Sequence, residues 1–146
     1  MSEKIRVLLV DDHVLFRGGV KALLQRHEDF EVLDEAGDGL EGIKRARSLK
    51  PDVVLLALHM HGISGLEAVK VINEEIPGVR VLMLTVSEDA QDLMDALRAG
   101  ATGYLLKNVD TDALLDAIRR AAAGDSVVSP QMTAKLIQGV RVQPKV

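Results

Sequence analysis

Polar and charged side chains follow three of the short apolar segments of this sequence. Asp11 and Asp12 come directly after the first segment, Thr85 comes after the fourth, and Lys107 comes after the fifth. Two carboxylates supply the hard oxygen ligands that Mg²⁺ prefers, usually together with waters and phosphate oxygens. A hydroxyl and an ammonium group provide the hydrogen bonds and the positive charge that hold an anionic phosphoryl group. The four side chains therefore predict a phosphoryl-binding site, provided that the fold brings them together.

The apolar segments read as β-strands that alternate with amphipathic helices. Three of them are nearly continuous aliphatic blocks, which is typical of parallel strands buried on both faces. The predicted strands are Ile5–Val10, Glu31–Ala36, Val53–Leu58, Val79–Leu84 and Thr102–Leu106. The predicted helices are Val14–Arg26, Leu40–Leu49, Gly65–Ile76, Glu88–Ala99 and Thr111–Ala123. This alternation predicts an α/β fold with a doubly wound parallel sheet and helices on both faces. Ligands of such sheets bind beyond the carboxyl ends of the strands, so the polar side chains there should share one rim.

Capping residues mark the ends of several predicted helices. Asp38 with Glu41, and Ser64 with Glu67, form capping-box patterns before the second and third helices. Gly100 is a typical residue for the end of the fourth helix.

The chain after Gly124 continues beyond the five strand–helix repeats. Ser129 and Pro130 form a good helix start, because proline is tolerated at the first helical position, and they predict a sixth helix over Gln131–Gln138. Gly139–Val146 lacks apolar periodicity and reads as a linker or a frayed tail. We therefore expect one domain over residues 1–124, followed over 125–146 by a short helix and the start of a linker to a further C-terminal domain.

Composition excludes several classes of protein. The chain has 146 residues, enough for one domain with a hydrophobic core. It has no cysteine, which excludes disulfides, thiolate nucleophiles and cysteine-ligated metals. A net charge of −4 with 2% aromatic residues makes this chain alone a poor binder of nucleic acid. The sequence has neither a signal peptide nor an apolar run near membrane-span length, so we expect a cytoplasmic protein without membrane contact.

Several segments of the chain form motifs in a fixed order. They are Val10-Asp11-Asp12-His13, Pro51-Asp52-Val53-Val54-Leu55-Leu56, Gly62-Ile63-Ser64-Gly65, Leu82-Met83-Leu84-Thr85, Gly100-Ala101-Thr102-Gly103-Tyr104-Leu105-Leu106-Lys107 and Ala123-Gly124-Asp125-Ser126-Val127-Val128-Ser129-Pro130. In order and spacing, residues 4–124 resemble the receiver domain of two-component response regulators. The detailed residues of these motifs resemble the NarL/FixJ, or LuxR-type, branch of that family. The resemblance implies a five-stranded sheet with the strand order 2-1-3-4-5.

The resemblance also implies a chemistry and a metal. In that family a histidine kinase donates a phosphoryl group to an aspartate at the end of the third strand, and an acidic pair supports Mg²⁺. The pair corresponds to Asp11 and Asp12, and at His59 the backbone carbonyl rather than the ring corresponds to a metal-facing group. The rings of His59 and His61 allow a separate metal interpretation, but two ligands without a third are weak evidence. Two exposed loop histidines are the simpler interpretation.

The remaining family roles fall on residues of the fourth and fifth strands. The resemblance assigns to Thr85 and Lys107 the groups that engage the phosphoryl group. It assigns to Thr85 and Tyr104 the switch, in which the tyrosine ring changes rotamer as the surface around it rearranges. Taken singly, each site residue has an ordinary explanation as a helix cap, a strand-end residue or a solvated lysine. Their occurrence together at the ends of successive strands is the specific signal.

Position 57 departs from the family pattern. The acceptor aspartate belongs there, whereas this chain has Ala57 between Leu56 and Leu58. A methyl group cannot accept a phosphoryl group, and its presence removes one carboxylate from the metal site, so we expect weakened Mg²⁺ binding. His61 also stands where the family usually has proline, which loosens the loop because proline fixes φ.

The interpretation that follows is a conformational signalling switch rather than an enzyme. We expect a receiver domain of a transcriptional response regulator that cannot be phosphorylated because residue 57 is alanine. The implied partners are a sensor histidine kinase, the protein's own C-terminal helix-turn-helix domain and a second receiver in a homodimer. DNA contact would be left to the helix-turn-helix domain.

Three alternatives stay open. The first is a natural pseudo-receiver that acts by protein contacts without phosphorylation. The second is a small α/β enzyme or flavin binder, although the first strand lacks the Ser/Thr/Gly-rich phosphate loop that such a binder needs. The third is a dinucleotide site at Gly37–Gly42, which fits G-x-G-x-x-G. That segment follows the second predicted strand rather than the first, and it carries two acidic residues, so a turn with a helix cap is the better interpretation.

Overall fold

A computed structural model describes residues 3–141 of the chain and forms six strand–helix repeats. The strands are β1 Ile5–Val10, β2 Phe30–Ala36, β3 Val53–Ala57, β4 Arg80–Thr85, β5 Gly103–Leu106 and β6 Val127–Val128. The helices are α1 Val14–Gln25, α2 Gly39–Leu49, α3 Gly65–Glu75, α4 Ala90–Ala99, α5 Thr111–Ala122 and α6 Pro130–Arg141. Among the described residues, no helix is long and apolar enough to span a bilayer.

All strand pairs are parallel, and the strand order is β2-β1-β3-β4-β5-β6. The α/β class and the order 2-1-3-4-5 of the first five strands are as predicted, but the prediction of five strands was wrong by one. Val127 and Val128 pair with Gly103 and Tyr104 at the edge of the sheet. A Cβ atom on Gly103 would lie 2.5 Å from the Val127 carbonyl oxygen, so glycine permits this close approach. Two residues are too few to show the periodicity by which a strand is recognised in a sequence.

The core consists of two apolar layers, one on each face of the sheet. The layer under α2, α3, α4 and α6 includes the side chains of Leu8, Val10, Val54, Leu56, Met83, Leu93, Tyr104 and Met132. The layer under α1 and α5 includes those of Val7, Leu9, Leu24, Val53, Leu55, Leu82, Leu105 and Ile118. All five residues of β3 are buried, as expected for a strand covered on both faces.

The predicted caps of α2 and α3 form, whereas α4 starts two residues later than predicted. The Asp38 carboxylate accepts a hydrogen bond from the Glu41 amide at 2.9 Å, and the Ser64 hydroxyl accepts one from the Glu67 amide at 3.2 Å. Helix α4 begins at Ala90 rather than at the predicted Glu88. The reason is that the Asp89 carboxylate caps this helix, accepting from the amide of the second helical residue at 2.8 Å.

The sixth helix is longer than predicted, because it runs from Pro130 to Arg141 instead of over Gln131–Gln138. Residues 139–141, which were predicted to belong to a linker or tail, are therefore helical. The rest of that predicted segment, 142–146, lies outside the described residues. Met132 is fully buried in the core, so α6 packs against the sheet that β6 extends. The domain boundary near Gly124 stays a prediction.

Candidate functional site

The carboxyl ends of β1, β3, β4 and β5 meet at one edge of the sheet. Ala57 pairs with Leu84, and Thr85 pairs with Leu106. The Lys107 amide then donates to the Thr85 carbonyl at 2.8 Å, which holds the residue after β5 beside the last residue of β4. Thr85 was predicted to follow β4, but it is the last residue of the strand.

A buried ion pair joins the ends of β1 and β5. The Lys107 Nζ atom lies 2.7 Å from Asp11 Oδ2, and the two side chains are only 16% and 7% exposed. The other carboxylate oxygen of Asp11 accepts a hydrogen bond from the His13 amide at 2.9 Å. The Lys107 ammonium also lies 4.7 Å from the centre of the Phe16 ring, a favourable cation–π distance. Both oxygens of the carboxylate are therefore engaged by groups of the chain itself.

The second acidic residue, Asp12, lies closer to solvent. Its Oδ2 atom lies 3.0 Å from His61 Nδ1, and the His61 side chain is 90% exposed. His59 faces a different carboxylate, with its Nε2 atom 3.9 Å from Asp92 Oδ2. The two histidine rings therefore have separate acidic neighbours. Within the described part of the chain, no three His, Asp or Glu side chains group as a metal cluster.

Ala57, the last residue of β3, is 2% exposed. A cavity of about 10 Å³ borders it, close to the smallest space that holds a water molecule. The cavity is lined by Leu9, Val10, Asp11, Phe16, Arg17, Val20, Leu55, Ala57 and Leu84. Asp11 is one of its walls, so a carboxylate on a longer side chain at position 57 would come close to that of Asp11.

The loop after β3 folds back tightly onto the strand end. The Gly65 amide donates to the Leu58 carbonyl at 2.7 Å. A Cβ atom on Gly65 would lie 2.1 Å from the Ala57 carbonyl oxygen, so a larger residue could not start α3 at this place. The position of residue 57 is thus fixed by backbone contacts on both sides.

The hydroxyl groups of Thr85 and Tyr104 both meet Ser87. Thr85, which is 2% exposed, accepts a hydrogen bond on Oγ1 from the Ser87 amide at 3.0 Å. The fully buried Tyr104 donates its hydroxyl to the Ser87 carbonyl at 3.0 Å. Burial raises the pKa of the Tyr104 phenol, and the hydrogen bond to Ser87 offsets part of this effect. The Ser87 hydroxyl in turn donates to Asp92 Oδ2 at 2.5 Å.

Sequence reasoning missed two residues that support the site. The role of Ser87 was not predicted, although the Thr85 hydroxyl two residues before its amide is a recognisable local turn signal. Arg17 gave no signal, because it bonds to a backbone atom: its guanidinium donates to the Asp11 carbonyl and to Glu35 Oε1, the latter at 3.0 Å. The hydrogen bond from Lys21 and that from Arg17 lower the pKa of the Glu35 carboxyl.

The glycines in the first turn of α2 serve packing. A Cβ atom on Gly42 would lie 2.7 Å from Val10 Cγ1, and one on Gly39 would lie 2.6 Å from Ile63 Cγ1. The Asp38 carboxylate is occupied as the cap of α2. These contacts support the turn-and-cap interpretation over a dinucleotide site.

The donor set partly fits a Mg²⁺ ion. Asp11 and Asp12 present carboxylate oxygens at the same strand end, and Mg²⁺ sites commonly use one or two carboxylates completed by water. However, Asp11 Oδ2 is paired with Lys107 and Asp12 Oδ2 with His61, so a cation would compete with both partners. The roles predicted for these residues, for the His59 carbonyl and for Thr85 and Tyr104 stay predictions.

Comparison with known proteins gave consistent matches. The family model described as the response regulator receiver domain matches residues 7–119. The chain is 41% identical over 138 residues to a nitrate/nitrite response regulator protein homolog of Haemophilus influenzae, covering 94% of this chain and 66% of that protein. It is also 41% identical over 140 residues to the nitrate/nitrite response regulator NarL of Escherichia coli K12, covering 96% and 65%.

A solved structure extends these matches to three dimensions. A two-component response regulator of the LuxR family from Aurantimonas sp. SI85-9A1 superposes with a TM-score of 0.88 at 33% identity, covering 97% of this chain and 100% of that one. The chain spans between 59% and 66% of the length of the curated relatives that it matches.

Proposed function

This chain belongs to the response regulator receiver domain family, and on that premise we propose that it is a NarL/LuxR-type receiver that cannot be phosphorylated on its own third strand. The observation that carries the proposal is Ala57. It occupies the last position of β3, beside Leu84 and at the wall of a cavity shared with Asp11. An alkyl side chain has no oxygen with which to accept a phosphoryl group.

The groups around Ala57 support the rest of the proposal. The Lys107 ammonium, which would neutralise an incoming phosphoryl group, is paired with Asp11 at 2.7 Å. The Thr85 hydroxyl is held toward the Ser87 amide, from which it would have to turn to bind a phosphoryl oxygen. The site thus has its polar groups engaged with one another, and a signal would have to reach it through protein contacts.

Asp11, Asp12 and the His59 carbonyl are the groups that would hold Mg²⁺. When bound, the ion neutralises charge on phosphoryl oxygens. The chain's own contribution is to hold the Asp11 carboxylate from two sides, through the His13 amide and through Lys107. Without an acidic residue at position 57 the donor set has two carboxylates instead of three, and we propose a correspondingly weaker affinity.

The chain's role is conformational signalling, without turnover of a substrate. We propose a sensor histidine kinase, a second receiver in a homodimer and a C-terminal helix-turn-helix domain as its partners, in the cytoplasm. Names among the relatives support the link to transcription, such as the transcriptional regulatory protein DegU of Brevibacillus brevis. A pseudo-receiver that works entirely without phosphorylation is the alternative, and it shares the same Ala57 observation.

Acetyl phosphate with Mg²⁺ tests the proposal, with intact-protein mass spectrometry as the readout. The unaltered chain should gain no phosphoryl group, whereas Ala57→Asp should gain one that is stable to acid and labile to base. Ala57→Asn is the matched control, because it has the shape of aspartate without a nucleophilic carboxylate. Stoichiometric labelling of the unaltered chain would overturn the proposal.

Labelling of Ala57→Asn would assign the reaction to another residue. Failure of Ala57→Asp to react would mean that His61 or the loop after β3 prevents the chemistry, and that the site lacks more than its acceptor.

A further inference from the structure

Two neighbouring carbonyl groups in the loop between β4 and α4 are held from different elements. The Tyr104 hydroxyl donates to the Ser87 carbonyl at 3.0 Å, from β5. The Lys135 ammonium donates to the Glu88 carbonyl at 2.6 Å, from α6. The same ammonium lies 3.9 Å from Glu88 Oε1. The loop that leads away from Thr85 is therefore fixed between the core and the last helix.

The start of α6 is anchored on β5, the strand that carries Tyr104 and leads to Lys107. Ser129 is 4% exposed, and its amide donates to the Tyr104 carbonyl at 3.0 Å. Its hydroxyl accepts from the Leu106 amide at 3.1 Å, so it takes the place of a backbone partner where β6 ends. The Ser129 carbonyl accepts from the Met132 amide at 2.9 Å in the first turn of α6. One buried serine thus joins β5 directly to α6.

The rest of α6 packs on the face of the sheet that contains Tyr104. Met132 is fully buried, and Lys135 and Leu136 are partly buried, which is the spacing of one helical face. Met132 belongs to the same core layer as Tyr104 and Leu93 of α4, and Leu136 packs against that layer. Helix α6 therefore contacts α4 and the loop between β4 and α4, and it shares a core layer with Tyr104 of β5.

We propose that α6 is a strap on the loop Val86–Asp89, and that release of α6 from α4 and movement of this loop are one coupled event. Lys135 holds the loop from outside, Tyr104 holds it from the core, and Ser129 connects the two anchors through β5. A change that moves the loop breaks the Lys135 contact, and undocking of α6 removes the restraint that Lys135 places on the Glu88 carbonyl. Only the purpose of the strap rests on the proposed function. That purpose is to transmit a conformational change at the carboxyl ends of the strands to α6.

Amide hydrogen exchange of Lys135→Met tests the strap, with Lys70→Met on the exposed face of α3 as the matched control. Methionine keeps an unbranched side chain and removes the ammonium donor. Loss of one hydrogen bond of ordinary strength should raise the exchange rates of α6 and of Ser87–Asp89 together, by about two- to tenfold. Lys135→Arg, which retains the charge and the donors, should restore slow exchange. Lys70→Met should leave both segments unchanged.

Coupling requires the reverse effect, because the free energy that links two sites is reciprocal. Tyr104→Phe removes the hydroxyl bonded to the Ser87 carbonyl and should therefore accelerate exchange in α6 as well as in the loop. Tyr104 is the chain's single tyrosine, so the acrylamide quenching of its fluorescence reports its exposure directly. That quenching should increase in Lys135→Met and in Ser129→Ala.

If exchange in Lys135→Met became faster in α6 alone, while exchange in Ser87–Asp89 and the quenching of Tyr104 matched those of Lys70→Met, Lys135 would be only a docking contact. This result would overturn the strap. So would unchanged α6 exchange in Tyr104→Phe. None of these measurements involves phosphoryl transfer, so their failure leaves the proposed function standing, and failure of the labelling experiment leaves the strap standing.

Discussion

Replacing Lys107 by methionine tests how strongly the ion pair with Asp11 holds the strand ends together. At the observed 2.7 Å, the direct attraction is about 6 kcal/mol with an effective dielectric constant of 20. Desolvation of the two charges offsets much of this attraction. Removing one member of a fully buried pair costs about 3–5 kcal/mol, and the 16% exposure of Lys107 reduces this loss. We expect Lys107→Met to lower the free energy of unfolding by about 2–3 kcal/mol.

A double-mutant cycle isolates the pair from other effects of the substitutions. Lys107→Met, Asp11→Asn and the double variant are unfolded in urea at pH 7 and followed by circular dichroism. Asparagine keeps an oxygen that can still accept from the His13 amide. We expect a coupling free energy of about 2 kcal/mol, above the range of exposed pairs.

Asp29 and Arg119 provide the matched control, because they form an ion pair at the same 2.7 Å but with both side chains 42% exposed. Exposed pairs of this kind contribute about 0.2–1 kcal/mol. If the coupling at Asp11 and Lys107 were no larger than at Asp29 and Arg119, the pair would be an ordinary surface contact. The proposal that the polar groups of the site are engaged with one another would then be refuted.

Three further outcomes are expected. Ala57→Asp adds a carboxylate beside Asp11, so Mg²⁺ at ten times its dissociation constant should stabilise this variant by roughly 1.4 kcal/mol, and the unaltered chain by less at the same concentration. Equal stabilisation of the two proteins in thermal unfolding would refute the assignment of the metal ligands. Burial raises the pKa of Tyr104, so the stability that the neutral phenol contributes should be fully present below about pH 10. This contribution should be lost as pH rises through the folded-state pKa, and Tyr104→Phe should show no such loss. The chain alone, with a net charge of −4, should not shift duplex DNA in a gel at physiological salt; a salt-sensitive, sequence-selective shift would contradict this.

The sequence was sufficient for the architecture wherever a physical signal extends over many residues. Aliphatic blocks such as Val53–Ala57 identified buried parallel strands, and paired residues such as Asp38 and Glu41 located helix starts through hydrogen bonds that the structure contains. The sixth strand was not predicted, because a strand of two residues, Val127 and Val128, is too short to show an alternating pattern. Its existence depends on the close approach that Gly103 permits.

The site was predictable as a set of positions, but its internal contacts were not. Strand-end placement indicated that Asp11 and Lys107 would be near each other, but the 2.7 Å pairing depends on side-chain geometry. Arg17 and Ser129 each bond to the backbone of another element, at Asp11 after β1 and at Leu106 in β5. Such partners are set by tertiary folding, and no local pattern indicates them.

The measurement that tests the central claim most directly is the rate at which Ala57→Asp takes a phosphoryl group from acetyl phosphate with Mg²⁺, compared with the rate for the same variant carrying Lys107→Met. If the site lacks only its acceptor, Ala57→Asp becomes labelled at residue 57, and loss of the ammonium slows labelling by about 100-fold, as expected when one preorganised electrostatic group is removed. An inert Ala57→Asp, or equal rates with and without Lys107, would contradict the claim.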